Sequence, residues 1–212
     1  PLEHAPWHGL TPTDLVFPFF LFAVGNAMSF VMPRLEAAGA RIFWKKVLKR
    51  TALIFLIGLF LNWWPFVTEV NRIIEESSAL QKVTIFKGFT WLDYSKDKAG
   101  NIVETIKGIR IFGVLQRIAL CYFFASIIIY YLKPRKAFLV GLIILLIYWM
   151  LCFVGNPVDP YSLNGWFGTD IDKSILGKTH MYKGEGIPFD PEGLVSTLSA
   201  IVQVIFGFLV GA

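Results

Sequence analysis

The first thirty residues constrain this chain most. A polar segment, His4-Ala-Pro-Trp-His-Gly-Leu-Thr-Pro-Thr-Asp14, runs straight into the apolar stretch LVFPFFLFAVGNAMSFVM. Leu15 to Met32 holds no charge, and a helix crossing a bilayer needs ~20 mostly apolar residues. Thr11 suits an N-cap and Pro12 the first helical position, where its missing N–H costs nothing. Asp14 stands where a capping-box acid reaches back to the cap. His4 and His8 are therefore expected just outside a membrane, held near its surface by a capped helix.

Composition generalises that reading. Mean hydropathy is +0.59 and charged residues make up 17% of the chain, where a soluble domain carries about a quarter. The expected fold class is all-α, a polytopic membrane helical bundle with about five transmembrane helices, near 14–32, 48–66, 112–131, 137–154 and 193–211. Residues 1–212 read as a single transmembrane domain with two long loops, 67–111 and 155–192. The sequence does not begin with Met and stops inside an apolar run, so it is expected to be a fragment of a longer multi-span protein. Cys121 and Cys152 lie within apolar runs and read as small packing residues.

Charge placement sets the expected topology. Arg34, Arg41, Lys45, Lys46, Lys49 and Arg50 follow the first span, and Lys133, Arg135 and Lys136 sit between the third and fourth. These two links hold nine basic residues and one acid, Glu36, while 1–14, 67–111 and 155–192 hold ten basic residues and fourteen acids. Basic loops stay cytoplasmic, which puts the N-terminus outside. The basic balance is thus a topology signal and not a nucleic-acid surface.

Within the spans, polar groups are few. Asn26 falls ~18 Å along the helix from Asp14 and suits an interhelical hydrogen bond or the lining of a deep pocket. Gln116 and Arg117 enter the third span. A charge there needs a cavity or a partner, with Asp14 or Asp190 at the right height. In the first loop, KVTIFKGFTWLDY and IVETIKGIRI flank the turn-like Lys96–Asn101 and read as a short hairpin. The second loop contains Asp159, Asp170, Asp172, His180, Glu185, Asp190 and Glu192. Asp190-Pro191-Glu192 suits the start of the last span. Three histidines, four acids or amides and one arginine therefore gather on the outer face. His4, His8 and His180 lack metal-ligand spacing, so no metal is expected. No Gly-x-Ser-x-Gly elbow occurs either.

HAPWHGLTPTDLVFPFFLFAVGNAMSF, RIFGVLQRIALCYF and GKTHMY…FDPEGLVSTLSAIVQVIFGFLVG together resemble the heparan-α-glucosaminide N-acetyltransferase family, the lysosomal membrane enzyme and its bacterial relatives. The resemblance extends over nearly the whole chain apart from the 67–108 loop. It implies transfer of an acetyl group from cytoplasmic acetyl-CoA to an amino sugar across the membrane. For a bacterial relative, that means an inner-membrane protein whose site faces the periplasm. The family's catalytic histidine lies in the stretch matched by His4. The lysosomal enzyme carries asparagine at the position of His8, so no role passes to His8. Asp14, Asn26, Gln116, Arg117, His180, Asp190 and Glu192 match the shared motifs.

Acyl transfer to an amine fits these residue types. A histidine has a pKa suited to proton removal, Asp14 or Asp190 would orient it, and Arg117 would stabilise an oxyanion. His180, Asp190, Glu192, Gln116 and Asn26 are the substrate-binding candidates. Lys45, Lys46, Lys49 and Arg50 are the candidates to meet the CoA phosphates. The expected partners are acetyl-CoA, an amino-sugar acceptor, the lipid bilayer and a second copy of the chain as a homodimer, with no nucleic acid. The rival reading is a multi-span transporter or channel for a small polar solute.

Overall fold

The computed structural model describes residues 3–5, 7–73, 80–96, 100–184 and 186–212. The chain is mostly helical. Its helices are α1 (Pro12–Ser29), α2 (Met32–Ala38), α3 (Ala40–Trp63), α4 (Val114–Gly155), α5 (Gly168–Leu176) and α6 (Leu194–Gly211), with a short 3-10 turn at Lys178–His180.

The helix starts follow the chain's local chemistry. Thr11 caps α1 and Pro12 opens it. A bend of 45° separates α1 from α2. α3 begins with Arg41, Lys45, Lys46, Lys49 and Arg50 and is apolar only from Thr51 onward. α4 contains one non-helical residue, Lys133, with φ 63° and ψ 164°. The chain reverses there, which a following Pro134 favours by excluding the α region at its predecessor. The surroundings of Ser196 at the start of α6 show the reversal: Arg117 of the first arm donates to its carbonyl, and Tyr148 of the second lines one cavity with it. At the other end, Phe138 of the second arm packs on Phe206.

α1 and α6 run parallel and touch closely. A Cβ at Gly25 would lie 1.9 Å from the Val204 carbonyl oxygen, and one at Gly207 would lie 2.0 Å from that of Phe22. Small residues at such crossings let two backbones approach. α3 runs antiparallel to the first arm of α4, pairing Phe43 with Tyr130, Arg50 with Tyr122 and Phe55 with Phe112. Leu21, Phe43, Val47, Cys121, Ala125 and Ile205 fill the centre of this core. Outward faces stay apolar, as at Leu56, Leu139 and Leu146.

Among the described residues, two helices, Val114–Gly155 and Leu194–Gly211, are long and apolar enough to cross a membrane. The bent pair α1 and α2 makes a third if taken as one span. With its apolar exterior, this is the build of a membrane protein.

The expectation of an all-α chain needs correction. Residues 67–108 contain two antiparallel hairpins, β1 (Val67–Ile73) with β2 (Leu80–Phe86) and β3 (Thr90–Lys96) with β4 (Ile102–Gly108). The single hairpin expected around Lys96–Asn101 is the second of these, although residues 97–99 lie outside the described residues. The first arises because VTEVNRI and LQKVTIF are rich in β-branched residues, which suit strands. Asp93 joins the hairpins, accepting from Asn71 N–H at 2.8 Å and pairing with Lys107 at 2.6 Å.

Because backbone lies where each new Cβ would go, Gly25→Ala and Gly207→Ala are expected to cost about 1–3 kcal/mol each. Heating detergent-solubilised protein and following the monodisperse fraction by gel filtration will read this as an earlier loss than in Ala23→Leu, which alters an exposed position.

Candidate active site

The start of α1, the ends of α3 and α4, and the start of α6 meet at one end of the bundle. His4 lies there, in the segment before the Thr11 cap. Its Nδ1 is 2.6 Å from Asp14 Oδ1. Asp14 Oδ2 accepts Thr11 N–H at 2.7 Å, the Thr11 hydroxyl at 2.9 Å and Ala5 N–H at 3.4 Å. Four donors on one carboxylate make it an acceptor only, so the ring proton sits on Nδ1 and the lone pair on Nε2. The His4 side chain is 74% exposed, which leaves that lone pair open to a substrate. One acid thus caps a helix and orients an imidazole.

Arg117 does not pair with Asp14 or Asp190, as its height in the chain had suggested. Its Nη1 donates to Pro191 O at 2.6 Å and its Nη2 to Ser196 O at 2.8 Å, so it ties α4 to the entry of α6. The guanidinium also lies 5.7 Å from the Phe17 ring centre. Asp190 goes to Arg110 instead, through Nη2 at 2.6 Å and Nε at 3.4 Å, and Arg110 also pairs with Glu192. Tyr182 lies 4.9 Å beneath that guanidinium. Arg110 was not among the candidates. Its position seven residues before Arg117, one helical face in an unbroken helix, concealed that α4 begins only at Val114.

The other candidates are placed as follows. His180 is buried, with Nδ1 2.7 Å from Ile109 O and its ring 4.2 Å from Phe89, so it fastens the 3-10 turn to the second hairpin. Gln116 is 1% exposed and packs against Gly58 of α3, where a Cβ would lie 2.6 Å from its Oε1. Asn26 faces Gly211 at the far end of the α1–α6 contact. Glu185 lies outside the described residues. The structure therefore joins His4 with Asp14, joins Asp190 with Glu192 through Arg110, and leaves Gln116 and Asn26 deeper in the bundle.

Asp172, on α5, was noted only as one acid of its loop. It is fully buried, and its Oδ1 accepts Leu194 N–H at 2.9 Å, capping α6. Among the described residues its Oδ2 has no partner. Burial, aided by the nearby Asp190 charge and opposed by the Leu194 N–H, pushes this carboxyl up to about 6.

Two cavities flank the polar groups. One, of about 240 Å³, is walled by Trp7, three positions on from His4, with Tyr148, Tyr161, Trp166, Phe189 and Ser196. Toward the other end, one of about 310 Å³ lies between α1, α3 and α4, lined by Val24, Met28, Ile54, Leu115, Ile118 and Arg50. A cleft of about 330 Å³ adjoins it through Arg50 and Tyr122 and adds Lys46 and Lys49. Apolar depth behind a cationic mouth suits a carrier with an acyl end and a phosphorylated end.

Fold and site together define a helical membrane protein with an acid-oriented histidine at one end. No protein-family model matches the chain. Among curated proteins it is similar to human heparan-alpha-glucosaminide N-acetyltransferase, 24% identical over 257 residues, an alignment covering 99% of this chain and 34% of that protein. The mouse protein of the same name is 23% identical over the same shares. The chain spans about a third of the length of these curated relatives, and the relationship to their family is a distant one.

A carboxyl whose pKa rises on folding from 3.8 to about 6 binds its proton more tightly in the folded state. Its contribution to stability is full below about pH 4 and is lost as pH climbs through 6. Asp172→Asn keeps the Oδ1 cap and removes the titration. Thermal melts across pH 4.5–7.5 are expected to show wild type losing stability relative to this variant as pH rises.

Proposed function

We propose that this chain carries the catalytic centre of a transmembrane N-acetyltransferase, which moves an acetyl group from cytoplasmic acetyl-CoA to the amine of an extracytoplasmic amino sugar. The observation that carries the reading is the 2.6 Å His4–Asp14 contact with the Nε2 side of the ring exposed. The names of the human and mouse relatives, N-acetyltransferases of heparan-alpha-glucosaminide, support the reaction class.

In this reading α1, α3, the two arms of α4 and α6 make five membrane crossings. The end bearing Lys46, Lys49, Arg50 and Lys133 faces the cytoplasm, in keeping with the preference of basic loops for that side. His4 then faces outward, in the periplasm for a bacterial inner-membrane protein. The Lys46–Lys49–Arg50 cleft receives the phosphates of acetyl-CoA, and the adjoining apolar cavity takes its acyl arm.

His4 Nε2 acts on the acceptor. It removes a proton from the amine as nitrogen attacks the thioester carbonyl, the C–S bond breaks and CoA leaves as a thiolate that takes up that proton. Alternatively, Nε2 attacks the carbonyl first, expelling the CoA thiolate, and the acetyl group then passes from the ring to the amine. In either route positive charge builds on the imidazole, and the Asp14 carboxylate holding Nδ1–H stabilises that charge. Arg117 has both Nη atoms committed to carbonyls. Its service here is positional: it sets the start of α6 beside the start of α1, while its positive field favours a developing oxyanion.

Membranes containing the full-length protein, given labelled acetyl-CoA and glucosamine, are expected to yield labelled N-acetylglucosamine. His4→Ala is expected to lower the rate at least 100-fold, and Asp14→Asn ~10–100-fold, in line with the worth of a positioned base. Solute accumulation in vesicles without acetyl-CoA, and no acetylated product, would instead identify a transporter. Single cysteines introduced beside His4 and beside Lys133 check the topology. A membrane-impermeant thiol reagent applied outside is expected to label the first and spare the second.

A further inference from the structure

We propose that the aromatic cavity walled by Trp7 is the acceptor subsite, and that it grips one pyranose ring of an amino sugar between Trp7, Trp166 and Phe189. This inference rests on the acetyltransferase reading above.

The cavity opens to the surface, and its volume of about 240 Å³ lies among five aromatic side chains, Trp7, Tyr148, Tyr161, Trp166 and Phe189. Phe189 meets Trp7 at 5.2 Å and 72°, and Trp166 at 5.9 Å and 75°. Both tryptophans thus stand near right angles to one phenylalanine, the arrangement of a box and not of a collapsed stack. The volume lies below the ~300–1,000 Å³ of sites for drug-sized ligands, which fits an occupant of one ring. None of the described residues lining it is charged, which suits a sugar better than the phosphates of a nucleotide carrier.

Aromatic walls do suit a sugar amine. Their electron-rich faces attract the weakly positive C–H face of a pyranose, and they attract an ammonium group more strongly still, Trp best of all. An amino sugar presents both features, whereas a neutral sugar presents one.

The cavity is also tied to the segment that carries His4. Trp7 Nε1 donates to Tyr161 O at 2.7 Å, which pins the His4 segment to the cavity rim. Two residues separate Trp7 from His4, so their Cα atoms lie no more than roughly 11 Å apart. That bound keeps a ring held against Trp7 at the same end of the molecule as the imidazole.

Full-length protein in detergent, assayed with acetyl-CoA and D-glucosamine, tests the assignment. Trp166→Ala is expected to raise the glucosamine KM at least tenfold, with a smaller fall in kcat and the acetyl-CoA KM within twofold of wild type. Trp166→Phe is expected to recover most of the loss. On the wild-type protein, saturation-transfer NMR with irradiation of the aromatic protons is expected to saturate the ring C–H protons of glucosamine. This arm decides the matter if the alanine variant does not fold. A wild type that acetylates glucosamine overturns the subsite alone if Trp166→Ala melts normally with an unchanged glucosamine KM, or if no saturation reaches the sugar. A wild type that acetylates no amino sugar overturns the acetyltransferase reading, and the subsite with it.

Discussion

Parallel docking of α1 on α6 is the contact on which the polar end depends. Helices in lipid gain little from hydrophobic attraction to each other, so association relies on close packing and on polar contacts between them. Gly25 and Gly207 supply the closeness, each lying where any side chain would strike the partner's backbone. Because the two helices run in the same direction, their N-termini share a level. Thr11 with Asp14 begins one, and Gly193 under the Asp172 cap begins the other. Arg117 locks the level by donating to carbonyls on both sides of the α6 start. Slide one helix by a turn, and His4 would no longer keep its place relative to the aromatic cavity.

Acids at this end divide by surroundings. Asp14 sits at the rim with four donors. Asp190 is buried but faces Arg110. Asp172 is buried with one N–H on its first oxygen and, among the described residues, no partner for its second. Three aspartates of one intrinsic chemistry thus have three separate duties. The first orients an imidazole, the second completes an ion pair, and the third caps a helix at the expense of an unsatisfied lone pair.

Local chemistry was legible in the chain. The Thr11-Pro12-Thr13-Asp14 start of α1, the second hairpin and the apolar helices all follow from neighbours in sequence, because caps, turns and alternation act over a few residues. Pairings between distant segments were not legible. Arg110 and Arg117 each have acids at a plausible height, and nothing in the sequence shows that Arg110 precedes the helix and so swings to Asp190. The first hairpin hid because VTEVNRI and LQKVTIF carry as many polar as apolar residues. The aromatic cavity hid for another reason. Trp7, Tyr161, Trp166 and Phe189 come from separate stretches, and each alone reads as interface or core.

One consequence follows from how the histidine is tethered. Its partner carboxylate belongs to the opening turn of α1, and the terminal turn is where any helix unravels first. An unravelling of that turn would withdraw the acid from the ring. In the proposed reaction, the heat tolerance of the chemistry would then depend on one turn of helix before it depends on the melting of the bundle behind it.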